Sequence, residues 1–562
     1  MTANSRLSPT KLSPTKLPPT KLPTTNMSLS VALCHLHADD WAMTIRPNPP
    51  TVPITPTMRR ILNQSRHASR ATSRTLALVA GSLTIAALTG CTGGPGPMFN
   101  DLTEPEEQFV RIDGNTEDWP GDAVAIADEH HVFFRFSVQG NPYSIQAADK
   151  TVAILLDVDA DPTTGKKLPG RLSRLGIDME IQASPTKPEG GTDNGVAVIA
   201  VDSSGFKLPL ERSDFDVSFA PTYASTWYEA RVSRTPDNPA TLPIEGLLST
   251  GTLSGVYALL NNEGKIVGVS EPFTIKLGPI CRSGKKLTFA VPPKKPEGGV
   301  RILSYNVLRS APNKTPEPFR RLLNVIDPDV ILFQEWVDGT PEEISSWLSA
   351  VDGGATWQVA KPVGGLDVGG GVIVASKFPL VKRFEKLTSQ GKAIRAVGAS
   401  IDTPLGIMIA TSVHLKCCGK SDGPEDQQRI TEARAINAAM LNAANTARAT
   451  VRIIGGDLNL VGTRPPLDIM RKGLDADGTD LAVADAEVLG DSIVETWTEN
   501  GNTFGPGRLD FISYSDASVR VVNQFVFDTR RISPEALARL GVDALDSAAS
   551  DHLPVVIDIV ER

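Results

Sequence analysis

The chain has 562 residues, too many for one compact core, so two or more domains are expected. A net charge of −8 argues against bulk, non-specific binding to nucleic acid. Five cysteines, Cys34, Cys91, Cys281, Cys417 and Cys418, are too few and too scattered for a disulfide scaffold, and none shows zinc-type spacing.

Residues 1–57 hold a short Pro/Thr/Lys repeat, "SPTKLSPTKLPPTKLPTT", which cannot build a core. From Met58 a basic stretch leads into the apolar run "TLALVAGSLTIAAL", too short to span a bilayer comfortably, and this ends in "LTGC". The arrangement resembles a bacterial lipoprotein signal. That resemblance implies a signal peptide over 58–90, lipidation of Cys91, a Gly/Pro-rich tether over 91–103, and a lipid-anchored protein of the cell envelope. An ordinary cleavage site or a short core helix is the alternative. On the signal reading Met58 is a candidate start, and residues 1–57 need not be translated in the native protein. Export means an oxidising compartment, in which Cys417 and Cys418 form a vicinal disulfide, bridge to Cys281 or stay reduced.

Residues 104–278 read as all-β. "HVFFRFSV" alternates Val132, Phe134, Phe136 and Val138, and "TVAILLDVD" does the same with Val152, Ile154, Leu156 and Val158. Frequent turn residues suggest a β-sandwich. "RIDGNTEDWPGDAVAIAD", "DVDADPTTG", "GIDMEI" and "WYEARVSR" resemble family-nine-type carbohydrate-binding modules, which implies a glycan partner, with Trp119 and Trp227 stacking on sugar unless they are core. Asp157, Asp159 and Asp161 alternate before Gly165. They are candidate Ca²⁺ ligands, or else a solvated acidic hairpin.

Residues 279–299, with "VPPKKPEGG", read as a linker. Beyond it strands and helices alternate over 300–562, the pattern of an α/β domain. Phe319, Leu322, Leu323 and Ile326 fall at helical spacing, Asp327-Pro328 stops that helix, and a second amphipathic helix is expected from about Glu425 to Ala444.

The strands of this domain share one oddity: they end in polar groups. "RILSYNVL" ends on Asn306, "VILFQEW" on Gln334 and Glu335, "MIATSVHLK" on His414 and "VRIIGGDLNLV" on Asp457 and Asn459. "GRLDFISYS" carries Asp510, and "ASDHLPVVIDI" opens on Ser550, Asp551 and His552. Buried polar termini build stability poorly, since each must be satisfied, but they suit a site on a rigid scaffold. His414 and His552 are the only histidines after Val300, and both sit at such ends.

In this order, "SYNV", "FQE", "GGDLN", "RLDFI" and "SDHLPV" resemble the endonuclease/exonuclease/phosphatase superfamily, the deoxyribonuclease-I-like fold, over 300–562. The resemblance implies a four-layered α/β sandwich following the β-sandwich. It also implies a Mg²⁺-dependent phosphoric ester hydrolase, with Mn²⁺ as substitute. Glu335, Asn306 and Asp551 would hold the metal. Asp457 would orient or deprotonate the attacking water, Asn459 would bind a phosphate oxygen, and Asp510 would fix the tautomer of His552. His414 would contact phosphate or assist the leaving group, and Arg395 would reach phosphate, being otherwise a solvated strand-edge residue. Whether His552 or Asp457 is the base stays open, and Ser550 is read as capping its turn. No GxSxG elbow is present.

The family cleaves nucleic acids, phospholipids and sugar phosphates, and its core motifs do not separate these. Acidic side chains outnumber basic ones in the domain, 34 against 27, so no broad cationic groove is evident. The leading expectation is an exported phosphodiesterase or nuclease. The alternatives are a phosphatase or sphingomyelinase-like phospholipase and, more remotely, a non-catalytic glycan-binding lipoprotein.

Overall fold

Alternation of apolar and polar residues sends one face of each strand inward. In the computed structural model this organises residues 110–562, apart from 141–142, 239–247, 249–250, 281–286, 366–369 and 499–500. The expectations for 1–57, the signal segment 58–90, Cys91 and the tether lie outside the described residues, as do Cys34 and Cys281.

Two antiparallel sheets make up the first domain. One has the order Ala125–Ala127, His131–Ser137, Trp227–Ser233, Ser218–Ala220. The other runs Ile266–Val269, Gly251–Leu260, Thr151–Asp157, Met179–Ala183, Val196–Val201, Lys207–Leu210, with Phe273–Leu277 also on the Gly251–Leu260 strand. Val132, Phe134 and Phe136 from one sheet share an apolar cluster with Val152, Ile154 and Leu156 from the other. Phe136 stacks on Tyr257 across the gap, ring centroids 5.1 Å apart.

Two sequence expectations change here. Trp119 is buried, and its indole N–H donates to Glu229 Oε1 at 2.5 Å, so it is core and has no face for a sugar. Trp227 is exposed, yet the Arg135 guanidinium stands over its ring at 5.8 Å. Asp161 leaves the acidic cluster because its Oδ1 accepts from the amide and hydroxyl of Thr163, at 2.8 and 2.7 Å; Asp178 joins Asp157 and Asp159 instead.

The segment read as a linker is docked over its described part. Thr288 pairs with Ile532, Arg301 donates to the Pro293 carbonyl at 2.6 Å, and Lys295 pairs with Asp329 at 2.7 Å. The two domains also share a buried ion network. Arg231 pairs with Asp491 and Asp216 at 2.6 and 2.8 Å, and Arg531 pairs with the same two carboxylates at 2.9 and 2.8 Å. A tether of composition alone would leave the first domain a mobile module; this network fixes it.

The second domain has four layers. Its first sheet has the order β3-β4-β2-β1-β12-β11, made of β1 (Val300–Asn306), β2 (Val330–Gln334), β3 (Gln358–Ala360), β4 (Ile373–Ser376), β11 (Val519–Val526) and β12 (Val555–Glu561). The second sheet has the order β5-β6-β7-β8-β10-β9, from β5 (Leu380–Phe384), β6 (Arg395–Thr403), β7 (Gly406–His414), β8 (Val451–Asp457), β9 (Ala482–Val483) and β10 (Asp510–Tyr514). Only β1–β2 and β7–β8 are parallel. Ile302, Leu332 and Ile557 of one sheet pack against Val397, Ala410, Ile453 and Ile512 of the other.

Helices cover the outer faces. Phe319, Leu322, Leu323 and Ile326 of α1 (Pro316–Ile326) and Ile344 and Leu348 of α2 (Pro341–Val351) pack on Leu303, Tyr305 and Ile331. Ala433, Ile436 and Met440 of α3 (Pro424–Ala447) pack on Ile409 and Val413. The buried side of α3 is not purely apolar as expected, since Asp426, Arg429 and Glu432 are buried too.

Candidate active site

Side-chain parity builds the site. Val397, Ala410, Ile453 and Ile512 face the other sheet, so residues an even number of positions away on the same strands face the same way. Arg395, His414, Asp457 and Asp510 are such residues. They also stand in one cross-strand row: Arg395 opposite His414, His414 opposite Asp457, Asp457 opposite Asp510. On the facing sheet Asn306 stands opposite Gln334 at the ends of β1 and β2. Polar residues extending inward parity past the apolar core meet at one edge of the double sheet.

The centre of this meeting is Asp457 Oδ2. Asn306 Nδ2 donates to it across the sheets at 3.2 Å and Asn459 Nδ2 at 3.1 Å. His414 Nε2 stands 3.4 Å from it and His552 Nε2 3.6 Å. Its other oxygen accepts the Asn459 amide at 2.8 Å. His552 Nδ1 lies 2.7 Å from Asp510 Oδ2. Glu335 is the more open carboxylate: Asn306 Nδ2 and the Arg309 amide approach it at 3.4 and 3.1 Å, and His414 Nε2 at 3.8 Å.

Several non-glycine residues adopt left-handed backbone here, Glu335 (φ 62°), Asn459 (φ 47°), Arg309 (φ 48°) and Leu308 (φ 39°) among them, the local strain that functional sites commonly carry. The "GGDLN" glycines have steric causes. A Cβ on Gly455 would lie 2.7 Å from Leu332 of the facing sheet, and one on Gly456 (φ +150°) would lie 1.9 Å from the Val413 carbonyl oxygen.

The two histidines are driven apart in charge. Burial opposes a charge on His552, but the carboxylates of Asp510 and Asp457 outweigh it and push the imidazolium up to about 10. Burial, with the positive charges of Arg395, His552 and Lys416, holds His414 well below its ordinary value. Burial also raises Asp457 to about 7, against the pull of His552 and with Asp510 and Glu335 adding repulsion. Burial and neighbouring charge thus favour an imidazolium at His552, a neutral imidazole at His414 and a central carboxyl group pushed towards neutrality.

Not every expected residue reaches this centre. Gln334 turns between the sheets and donates to Leu332 O and Ser412 Oγ. Arg395 donates to the Leu415 carbonyl at 2.5 Å, so it acts on His414 through charge and holds the following loop. Asp551 accepts the Trp497 indole N–H at 3.3 Å on Oδ2, while its Oδ1 is buried without a hydrogen-bond partner. Ser550 Oγ donates to the Asn306 carbonyl at 2.7 Å and accepts the His552 amide, fastening this triplet to β1. Cys417 and Cys418 are not joined by a disulfide; their sulfurs lie 2.8 Å apart.

Several supporting residues gave no signal in the sequence. Trp497 stands in a segment without periodicity. The buried charges of α3 hold the loops behind His414 and Asn459: Arg429 donates to the Lys416 and Cys418 carbonyls, Glu432 accepts the Lys416 amide, and Asp426 accepts from Thr463. The Asp426–Arg429 spacing of three was the one legible hint. From the first domain, Thr222 donates to the Leu460 carbonyl at 2.8 Å and the Ala224 amide to that of Gly462.

Comparison with known proteins finds the following similarities. Residues 303–552, a little under half of the chain, match the model of the Endonuclease/Exonuclease/phosphatase family. Among solved structures it is similar to a sphingomyelinase C from Streptomyces griseocarneus, at 18% identity, 46% coverage of this chain, 99% of the other and a TM-score of 0.31. A beta toxin from Staphylococcus aureus matches at 19% identity, 47% and 100% coverage and a TM-score of 0.30. An AP endonuclease from Archaeoglobus fulgidus matches at 15%, 47% and 99%, with a TM-score of 0.32. No curated protein matches the chain.

Proposed function

We propose that the protein is an exported, metal-dependent phosphodiesterase or nuclease that hydrolyses phosphate esters with activated water. The observation that carries this reading is the convergence of Asn306, His414, Asn459 and His552 on Asp457 Oδ2 at the edge of the double sheet.

The donor set suits a hard divalent cation such as Mg²⁺, with Mn²⁺ as substitute. Glu335 is more open than Asp457 or Asp510, and Asp551 has an unpartnered buried oxygen. Asn306 adds an amide oxygen, although that atom also accepts the Leu308 amide at 3.2 Å. Asp457, Asp510 and His552 also bring ligand atoms within 4.8 Å of one another. We assign that trio to proton chemistry, because an imidazolium held by two carboxylates has no lone pair to offer. The chemistry such a cation supplies is neutralisation of charge on the phosphoryl oxygens.

The remaining work falls to the chain's own groups. Asp457, raised towards neutrality, is suited to orient a water and accept its proton. His552, kept charged by Asp510, offers its Nε2 proton to phosphoryl oxygen and balances charge built up in the transition state. Neutral His414 holds a donor near both Asp457 and Glu335 without adding a second cation. The "LTGC" signal reading supports export and anchoring through Cys91.

The test is an assay of the EDTA-stripped protein on DNA, RNA and sphingomyelin, with Mg²⁺ or Mn²⁺ restored, beside His552→Ala. Metal-restored cleavage that the variant lacks supports the reading, and the panel names the substrate. No metal binding and an untouched panel would refute it.

A further inference from the structure

The first domain holds a second cluster that the catalytic reading does not use. Asp157 ends the strand Thr151–Asp157, Asp159 lies in the loop after it, and Asp178 precedes the strand Met179–Ala183. One oxygen from each lies within 4.8 Å of the others. Asp157 is 1% exposed and Asp178 4%.

Their hydrogen bonds leave the cluster incomplete. Asp157 Oδ2 accepts the Gly176 amide at 3.0 Å, and Asp178 Oδ2 accepts the Val158 amide at 3.1 Å. Asp159 accepts the Asp161 amide at 2.9 Å and the Thr164 hydroxyl at 3.0 Å. Asp157 Oδ1 is buried with no hydrogen-bond partner, a costly state for a carboxylate oxygen.

Among the described residues, no lysine or arginine pairs with Asp157 or Asp178. The charged side chains that bear on Asp178 are Asp159 and Asp157, both carboxylates. The loop backbone is folded tightly round the group. A Cβ on Gly165 would lie 2.5 Å from Asp178 Oδ1, and one on Gly176 would lie 2.2 Å from the Thr164 carbonyl oxygen and 2.7 Å from that of Asp161. Gly165 thus leaves room beside Asp178, and Gly176 leaves room for the Thr164 and Asp161 carbonyls in the adjoining turn.

We propose that Asp157, Asp159 and Asp178 bind a structural Ca²⁺ ion that fastens the end of the Thr151–Asp157 strand to the start of the Met179–Ala183 strand. An all-oxygen, irregular donor set suits Ca²⁺ better than the smaller Mg²⁺, which demands near-octahedral geometry. Asp161, the third alternating aspartate in the sequence, is not a side-chain ligand, because Thr163 holds its carboxylate.

The experiment compares thermal unfolding and Ca²⁺ calorimetry of the EDTA-stripped full chain with Asp178→Asn and Asp157→Asn. Glu335→Gln serves as the control that removes a carboxylate from the other site. In EDTA, Asp178→Asn should melt above the wild type, since it relieves repulsion. With free Ca²⁺ about 100-fold above its Kd, the wild type should rise by about 5 °C or more and overtake both variants. One binding event should disappear in the aspartate variants and persist in Glu335→Gln, and Mg²⁺-supported phosphodiester turnover should be kept by the aspartate variants. Equal Ca²⁺ stoichiometry and equal Ca²⁺-induced shifts in wild type and Asp178→Asn would overturn the proposal. So would a wild type that neither binds Ca²⁺ nor changes its melting temperature.

Discussion

His414 and Asp457 are direct partners on adjacent parallel strands, and His414 Nε2 stands 3.4 Å from Asp457 Oδ2. A histidine beside a carboxylate would ordinarily gain proton affinity. Here burial and three neighbouring positive groups reverse that, and the imidazole stays neutral.

Arg395→Gln should therefore raise the proton affinity of His414, since it removes the strongest of the positive charges acting on that ring. Histidine NMR titration of the metal-free protein measures this directly. The His414 resonance should move to higher pH in the variant; an unmoved titration would contradict the assigned cause.

His552 has the opposite sign. Its folded value, about 10, lies above the ordinary 6.5, so the stability it contributes is fully present below about pH 6.5 and is lost as pH rises through 10. In the metal-free protein, unfolding free energy should fall across that window. Asp510→Asn should flatten the fall, because the carboxylate that holds the imidazolium is gone. Denaturant melts of both proteins at pH 6, 8 and 10 check it.

The interdomain ion network predicts acid lability. Arg231 and Arg531 hold Asp491 well below the usual carboxylate range, outweighing its burial. A depressed carboxylate contributes stability above its unfolded value, near pH 4, and loses it as pH falls. Arg231→Met should cost about 3–5 kcal/mol at neutral pH, because it leaves buried carboxylates short of a partner. It should also weaken the acid dependence below pH 4. Residues 300–562 expressed alone should behave worse still, since Arg531 and Asp491 would then face water without Arg231 and Asp216. Chemical denaturation of the three proteins tests both statements.

Gly456→Ala is expected to lose soluble, folded protein. Its Cβ would lie 1.9 Å from the Val413 carbonyl oxygen, which is backbone and cannot step aside, and its φ of +150° is unfavourable for alanine. A variant that folds with an unchanged melting temperature would show that β7 and β8 can separate.

How much of this was legible follows from the physics of each residue. Period-two alternation carries parity, and parity carries facing, so Asn306, His414, Asp457 and Asp510 were readable as a group from their strand ends. Cross-strand register was not readable, and it is register that puts Arg395, His414, Asp457 and Asp510 in one row. Gln334 shows the limit: it has the right parity at a strand end but turns to Ser412. Trp497 lies in irregular chain, where no period exists to read. Asp161 and Asp178 changed places because a local Asx bond to Thr163 outcompeted the cluster, and a sequence cannot rank those two fates. The 291–299 segment was read from its composition as a tether, yet single contacts such as Arg301 to Pro293 decide whether such a segment docks.

The central claim is that Asp457 is the hub of a hydrolytic site. It is tested most directly by the kcat/KM of Mg²⁺-restored wild type and Asp457→Asn on a chromogenic bis-aryl phosphodiester, with melting temperatures measured alongside. The predicted result is a loss of about 10²–10⁴-fold in the variant with the fold retained. Turnover by Asp457→Asn equal to wild type would contradict the account.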